Sequence, residues 1–305
     1  MSSAERVSVV LPTYNRAGTI GRALRSVLAQ THVDLSVVVV DDASTDGTAA
    51  AVAQIDDERV RYVRLSTNVG PAGARNVGIH AVTTRWIAFQ DSDDEWLPTK
   101  LEDQLAMVRS SPDVALVIGG YSAVFGDRRV DIVPERTLLG EDPLADLLDG
   151  WPVITPTWLA RRDVLLGLGG FDESLRCLED WDLIFRLTDR HPIGAVRGPV
   201  LVKHASADSV FGSLSAQRAA MATILERHGR RCRRDRRRLA RHVAHLGTLE
   251  SRLGHRRAAT RRLASAVLLD PRRPAYYDLL VAALRGQDAM ARAEGRWPAW
   301  AAPPA

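Results

Sequence analysis

Four short apolar runs, each followed by a segment of helical spacing, constrain this chain most. They are Val7-Ser8-Val9-Val10-Leu11-Pro12, Leu35 to Val40, Val60 to Leu65 and Trp86 to Phe89. Short runs rich in β-branched and aromatic residues fit strands. After the first run, Ile20, Leu24, Val27 and Leu28 form one helical stripe. Asp46-Gly47 opens a helix through Ile55. Asn68 to Gly73 reads as a turn-rich loop and Ala74 to Ala81 as the helix after it. Pro98 to Ser110 places Leu101, Leu105 and Val108 inward. Strands alternating with helices, and apolar throughout, predict an α/β fold with a mainly parallel sheet covered on both faces.

Ligands of such sheets bind beyond the carboxyl ends of the strands. Asp41-Asp42 close the second run, and Asp91-Ser92-Asp93-Asp94 follow the fourth, with Glu95 next. Both acidic clusters therefore belong to one edge of the sheet. Crowded carboxylates raise one another's pKa unless a cation neutralises them. Mg²⁺ or Mn²⁺ suits this role, since each takes one or two protein carboxylates plus substrate phosphates. A solvated acidic loop capping the next helix is the plain alternative.

Past Val114 the pattern loosens. Ala115 to Phe125 looks strand-like, Asp142 to Gly150 helical, and Thr157 to Leu168 a strand leading into a helix. Gly169 to Glu173 is a turn, Glu179 to Leu187 starts a helix, and Pro199 to His204 is a last strand. From Ser213 the composition turns to Ala, Leu and Arg. Helical spacing covers Ala216 to His228, Asp235 to Leu253, Arg256 to Leu268 and Arg273 to Leu284. The Gly, Ala and Pro placement around Leu246-Gly247 and Asp270-Pro271 suits either one tetratricopeptide-type repeat or a plain helical bundle. Trp297 to Ala305 is Pro- and Ala-rich and expected to be loosely held.

Charge divides the chain the same way. From Ser213 onward, 20 arginines face 7 acidic residues, a net of +13, while the preceding part carries a net of −9. Such asymmetry implies two modules with different partners. Only two basic residues are lysine, which reads as genome composition rather than chemistry. Cys177 and Cys232 cannot build a disulfide framework, and no metal-ligand cysteine spacing exists. No signal-peptide core precedes the first strand, and no apolar run approaches the roughly 18 residues of a membrane span. The chain reads as cytoplasmic, with peripheral contact at the inner face of a membrane as a further possibility.

Four linked motifs carry a resemblance. Val7-Ser8-Val9-Val10-Leu11-Pro12-Thr13-Tyr14-Asn15-Arg16, Val39-Val40-Asp41-Asp42-Ala43-Ser44-Thr45-Asp46-Gly47-Thr48, Asn68-Val69-Gly70-Pro71-Ala72-Gly73-Ala74-Arg75-Asn76-Val77-Gly78 and Asp91-Ser92-Asp93-Asp94 occur in order. Along about residues 6 to 205 they resemble the family 2 glycosyltransferases of GT-A fold. The resemblance implies a Rossmann-like nucleotide-sugar domain over 1-212, with a nucleotide-binding half at about 1-114 and an acceptor half at 115-212. An all-α, Arg-rich domain over 213-305 would follow.

It implies roles too. Pro12, Thr13, Tyr14 and Asn15 would border the base, with Tyr14 stacking on it or merely packing half-buried. Asp42 would accept the imide N–H of uracil or thymine, while Asp41 fixes the loop or caps the next helix. Arg75 would lie near the base or diphosphate, or only pair with Asp41 or Asp42. Asp91 would meet the ribose, Ser92 would belong to the same nucleotide-sugar site, Asp93 would meet the metal, and Asp94 would support the loop or a metal-bound water. Gly169-Gly170-Phe171-Asp172-Glu173 and Glu179-Asp180-Trp181-Asp182-Leu183 resemble the family's acceptor-side elements. The resemblance makes Asp180 the general base of an inverting reaction, with Glu179 as alternate; helix capping is the plain reading of both. His204 is loosely matched to a histidine that closes on the diphosphate or metal.

The expected activity is metal-dependent transfer from a UDP- or dTDP-sugar to a hydroxyl of a glycan, lipid carrier or secondary metabolite. A nucleotide-sugar-binding scaffold acting through its helical tail is the alternative. A nucleotidyltransferase would need a basic Gly-rich loop after Leu11, and a dinucleotide oxidoreductase a GxGxxG there; neither is present. Arg230-Arg231-Cys232-Arg233-Arg234-Asp235-Arg236-Arg237-Arg238 suits an anionic membrane surface, a polyanionic acceptor, contacts with the acidic part or a homo-oligomer mate, or a solvated face. Nucleic acid is not expected, because no aromatics interleave with the arginines to stack bases.

Overall fold

A computed structural model describes residues 6–126, 128–134, 154–204, 213–232 and 235–294. The helix expected over Asp142 to Gly150 and the last residues from Trp297 lie outside them. Chain contacts divide the protein into two compact units. One holds Met1–Leu147, Trp151–Ser174 and Glu179–Ala207; the other holds Leu148–Gly150, Leu175–Leu178 and Asp208–Ala305.

The first unit is built on one mixed sheet with strand order β3-β2-β1-β4-β8-β6-β9-β5, and β7 paired to β6. The strands are β1 Val7–Thr13, β2 Leu35–Asp41, β3 Val60–Arg64, β4 Trp86–Phe89, β5 Glu95–Trp96, β6 Leu116–Phe125, β7 Arg128–Ile132, β8 Leu159–Arg161 and β9 Ile193–His204. β1 pairs in parallel with β2 and β4, and β2 with β3. These are the four runs predicted from sequence, and β1 is buried along its whole length. Helices cover both faces: α1 Ile20–Leu28, α2 Thr48–Ala53, α3 Gly70–Ala81, α4 Lys100–Ser110, α5 Arg162–Gly167 and α6 Glu179–Leu187. Two buried apolar clusters result. One packs Val10, Ile79, Phe89, Trp158 and Phe171, the other Val9, Leu24, Trp86, Leu101 and Leu105.

Beyond β4 the parallel rule fails. β8 runs antiparallel to both β4 and β6, and β5 antiparallel to β9. β9 starts at Ile193, earlier than Pro199, and bends at Gly198, whose φ is +107°. A left-handed residue there lets the strand continue through an irregularity against β6. Helix α3 likewise starts at Gly70 rather than Ala74, with Pro71 in its first turn. Proline lacks the N–H that this position leaves unbonded, so it opens the helix instead of breaking the chain.

The second unit is helical: α7 Leu214–Cys232, α8 Arg236–Arg252, α9 Arg256–Leu269, α10 Pro274–Arg285 and α11 Gln287–Glu294. Buried Glu250 ties it together, accepting from Arg218 at 2.9 Å and contacting His255 at 2.6 Å. No helix among the described residues is long and apolar enough to cross a membrane.

Candidate functional site

The site is built from loops at the carboxyl ends of β1, β2 and β4. Thr13 lies opposite Asp41 in the ladder, so the loops after β1 and β2 leave the sheet side by side. Asn15 and Ala43 both adopt left-handed backbone, with φ of 52° and 63°. The Asn15 N–H donates to Ser44 Oγ at 2.9 Å, and Thr45 N–H to Asn15 Oδ1 at 2.8 Å. Asn15 therefore clasps the two loops together. Pro12 and Thr13 are buried beneath it. Tyr14 is 45% exposed, so its side chain is not packed away.

The Asp41-Asp42 pair divides its work. Asp41 accepts the Ser44 N–H and the Tyr62 hydroxyl, which fixes the β2 loop. Asp42 turns to α3, accepting Val69 N–H at 2.7 Å and Gly70 N–H at 2.8 Å. It thus caps that helix from another element and satisfies donors that every helix start leaves unbonded. Burial raises its pKa despite these bonds. Each oxygen keeps a second lone pair. A base N–H would have to use these.

Arg75, on α3, joins the motifs. It is buried, and does not pair with Asp41 or Asp42. One guanidinium nitrogen donates to Asp91 Oδ1 at 2.8 Å and another to Glu179 Oε1 at 2.5 Å. Its plane lies over Phe171, 5.6 Å from the ring centre. Phe171 is itself stacked on Trp158 and edge-on to Phe89. The two carboxylates hold Arg75 firmly charged against the cost of burial. Its Nε is buried without a hydrogen-bond partner.

Asp93 and Asp94 have separate surroundings. Asp93 keeps some exposure, and its backbone carbonyl accepts from Arg22 at 2.6 Å. Burial, then the charge of Asp91, raises its pKa. Asp94 is fully buried. It accepts the His204 N–H at 3.1 Å and the Lys203 ammonium at 3.4 Å. Burial lifts its pKa to about 7, and Lys203 opposes that rise. Ser92 is buried in the same turn.

Asp180 and Glu179 open α6, as predicted. Glu179 is buried against Arg75. Asp180 accepts from the Trp181 N–H at 2.8 Å. Burial first, and then the neighbouring Glu179 charge, push its pKa up to about 7. Asp182 is drawn away to Arg186 at 2.8 Å. A carboxyl group poised near neutrality beside a charged one suits proton transfer.

Lys203 and Arg22 escaped prediction. Lys203 is one of only two lysines in the chain: Lys100 is fully buried, whereas the Lys203 side chain keeps 37% exposure beside Asp94. Among the described residues no group of three or more His, Cys, Asp or Glu side chains is set to hold a metal. However, burial and the charge of Asp91 raise the pKa of Asp93, and His204 Nε2 lies 3.5 Å from Glu95 Oε2. Carboxylates and an imidazole are donor types that suit an ion taking most of its ligands from substrate and water.

A strand-order switch between β1 and β4, with acidic turns beyond the strand ends, is the architecture of the GT-A glycosyltransferases. This chain belongs to glycosyl transferase family 2, whose model matches residues 8–166. The succinoglycan biosynthesis protein ExoO of Rhizobium meliloti (strain 1021) is 38% identical over 189 residues, covering 58% of this chain and 54% of ExoO. The Escherichia coli UDP-Glc:alpha-D-GlcNAc-diphosphoundecaprenol beta-1,3-glucosyltransferase WfgD is 36% identical over 118 residues, 39% of this chain and 46% of WfgD. The chain thus spans about half the length of the curated relatives it matches. The structure of S. aureus TarS 1-349 in complex with UDP-GlcNAc superposes with a TM-score of 0.68 at 21% identity, over 95% of this chain and 90% of that chain. The mannosyltransferase PcManGT from Pyrobaculum calidifontis, in complex with GDP-Man and Mn2+, gives 0.56 at 21% identity, over 97% of this chain and 81% of that chain. At these identities the likeness is one of fold.

Proposed function

We propose that this chain is an inverting glycosyltransferase. It moves a sugar from a UDP- or dTDP-sugar to a hydroxyl of a glycan, lipid-linked or secondary-metabolite acceptor. The relatives' names support this class, because WfgD is a glucosyltransferase acting on a lipid-linked diphosphate sugar and TarS was solved with UDP-GlcNAc.

One observation carries the mechanism: Asp180, held near neutrality beside the Arg75-bound Glu179. Asp180 takes the acceptor's hydroxyl proton as that oxygen bonds to the sugar's anomeric carbon. The carbon–oxygen bond to the diphosphate breaks on the opposite face, and the diphosphate leaves with the electron pair. Glu179, paired with Arg75, raises the proton affinity of Asp180 and so acts through it. Tyr14, Asn15 and Asp42 border the base, while Asp91 and Ser92 meet the ribose. Asp93 and His204 would hold Mg²⁺ or Mn²⁺, and the ion would supply Lewis-acid stabilisation of the leaving diphosphate.

Asp180→Asn should abolish transfer while donor affinity stays unchanged. The base must be ionised, so wild-type kcat/KM should rise with pH and level off above about 7. Glu179→Gln should move that profile to lower pH, because it removes the charge that raises Asp180. Unchanged transfer in Asp180→Asn, with abolition in Glu179→Gln, would exchange the two roles. Donor binding without turnover across a broad acceptor panel would sink the catalytic reading.

A further inference from the structure

Helix α1 carries a polar stripe beside its buried one. Ile20, Ala23, Leu24 and Val27 sink into the apolar cluster that also holds Trp96 and Leu101, which fixes the helix against the sheet. Arg22, Ser26 and Gln30 follow at intervals of four, the last just past the helix end, so they share the neighbouring face. Each holds backbone of the segment after β4. One Arg22 guanidinium nitrogen donates to the Asp93 carbonyl at 2.6 Å. Ser26 Oγ accepts the Trp96 N–H at 3.0 Å. Gln30 donates to the Leu97 carbonyl at 2.7 Å and accepts the Leu101 N–H at 3.1 Å. One helix face thus clasps the backbone from Asp93 to Leu101.

Ser26 and Gln30 meet a need that any buried loop has, because polar backbone groups away from water must be bonded. Arg22 does more. A neutral side chain would satisfy the Asp93 carbonyl, but a guanidinium bonds it with charge assistance. The same guanidinium stands 3.9 Å from Glu95 Oε2, and that oxygen lies 3.5 Å from His204 Nε2. From the other side, Glu95 pairs with Val202 in the ladder between β5 and β9, the strand that ends at His204. Arg22 therefore reaches both candidate ion ligands: Asp93 through its carbonyl, and His204 through Glu95. It bonds Asp93 by the backbone and so takes neither carboxylate oxygen; Arg16, 3.8 Å from Oδ2, is the cation on that side. Groups that orient ligands from behind commonly decide how well a metal is held.

We infer that Arg22 is a positioning residue for the ion. It fixes the turn that carries Asp93 and, through Glu95, the His204 ring, and so sets how tightly Mn²⁺ or Mg²⁺ joins a nucleoside diphosphate in the site. The inference rests on the reading that gives Asp93 and His204 to the ion, and adds the group that holds them. Arg22 acts through those two residues rather than on substrate.

The full chain should be titrated by calorimetry with UDP, and in parallel with dTDP, once in Mn²⁺ and once in EDTA. In wild type, Mn²⁺ should tighten binding of at least one nucleotide. Arg22→Met should weaken that nucleotide about tenfold in Mn²⁺, the loss usual for a residue that orients a metal ligand, and leave binding in EDTA unchanged. Arg22→Lys should recover part of the affinity, because an ammonium returns the charge and one donor without the fork. Arg25→Gln, exposed on the same helix, is the control and should match wild type in both buffers. Equal losses in Mn²⁺ and EDTA would make Arg22 a structural residue only and overturn the inference, as would full retention of the Mn²⁺ gain in Arg22→Met. A wild type that binds neither nucleotide, or binds equally in both buffers, overturns the metal reading and this inference with it, so the two failures are distinct. Circular dichroism and melting curves confirm that each variant folds.

Discussion

Arg75 is the residue on which the site depends. Removing its charge would leave Asp91 and Glu179 crowded without the cation between them. Breaking a buried pair from one side costs about 3–5 kcal/mol. Arg75→Met should therefore lower unfolding free energy by roughly that amount in urea titrations. Arg75→Lys should rescue it only in part, because one ammonium replaces two directed contacts. Asp180 shows the opposite bargain. Its folded pKa of about 7 lies above the unfolded carboxylate value, so the folded state holds the extra proton between roughly pH 4 and 7. Stability falls as pH rises through that window. Asp180→Asn removes this loss, so the inactive variant should melt above wild type at pH 8 and match it more closely at pH 4.

Close approach of elements sets a second group of constraints. Gly78 lets α3 lie against Val10 of β1, where a Cβ would collide with the valine methyls. Gly170 has a φ of +71°, and a Cβ there would strike the Asn76 amide. That amide both accepts the Phe171 N–H at 2.8 Å and donates to the Phe171 carbonyl at 2.9 Å. Gly170→Ala should cost about 1–3 kcal/mol, from strain and overpacking together. It should also lower turnover, since Phe171 supports Arg75. Thermal melts and steady-state rates would separate the two effects.

What sequence revealed also divides by element. β1, β2 and β4 were legible because they are buried and apolar throughout. The acidic turns were legible because like charges crowded beside a strand end demand an explanation. β5 was not, since two residues, one of them glutamate, carry no period. β7 is polar and largely exposed, and gives no buried face to detect. Arg75 was recognised by its motif, but its partner Glu179 lies 104 residues further on. No local pattern encodes such a pairing.

At the scale of the molecule, Lys100 imposes a pH dependence. Its ammonium position is fully buried among Gln104, the Trp158 carbonyl and the Trp96 ring. Burial lowers its pKa well below 10.5. The unfolded chain binds this proton more readily, so Lys100 makes stability rise with pH until the unfolded lysine also loses it, near 10.5. Lys100→Met, of similar volume, should flatten that rise and add stability at neutral pH, as read from unfolding free energies across a pH series. The 104-residue span from Arg75 to Glu179 reaches further, into biosynthesis. When the chain emerges N-terminus first, β1 to β4 are available long before α6. Until α6 arrives, Arg75 has Asp91 but lacks its second carboxylate, although β8, which precedes α6 in the chain, can by then cover the edge of β4. The nucleotide half therefore passes through an open-edged stage before β8 is made, the site is completed when α6 follows, and β9 joins the sheet later still.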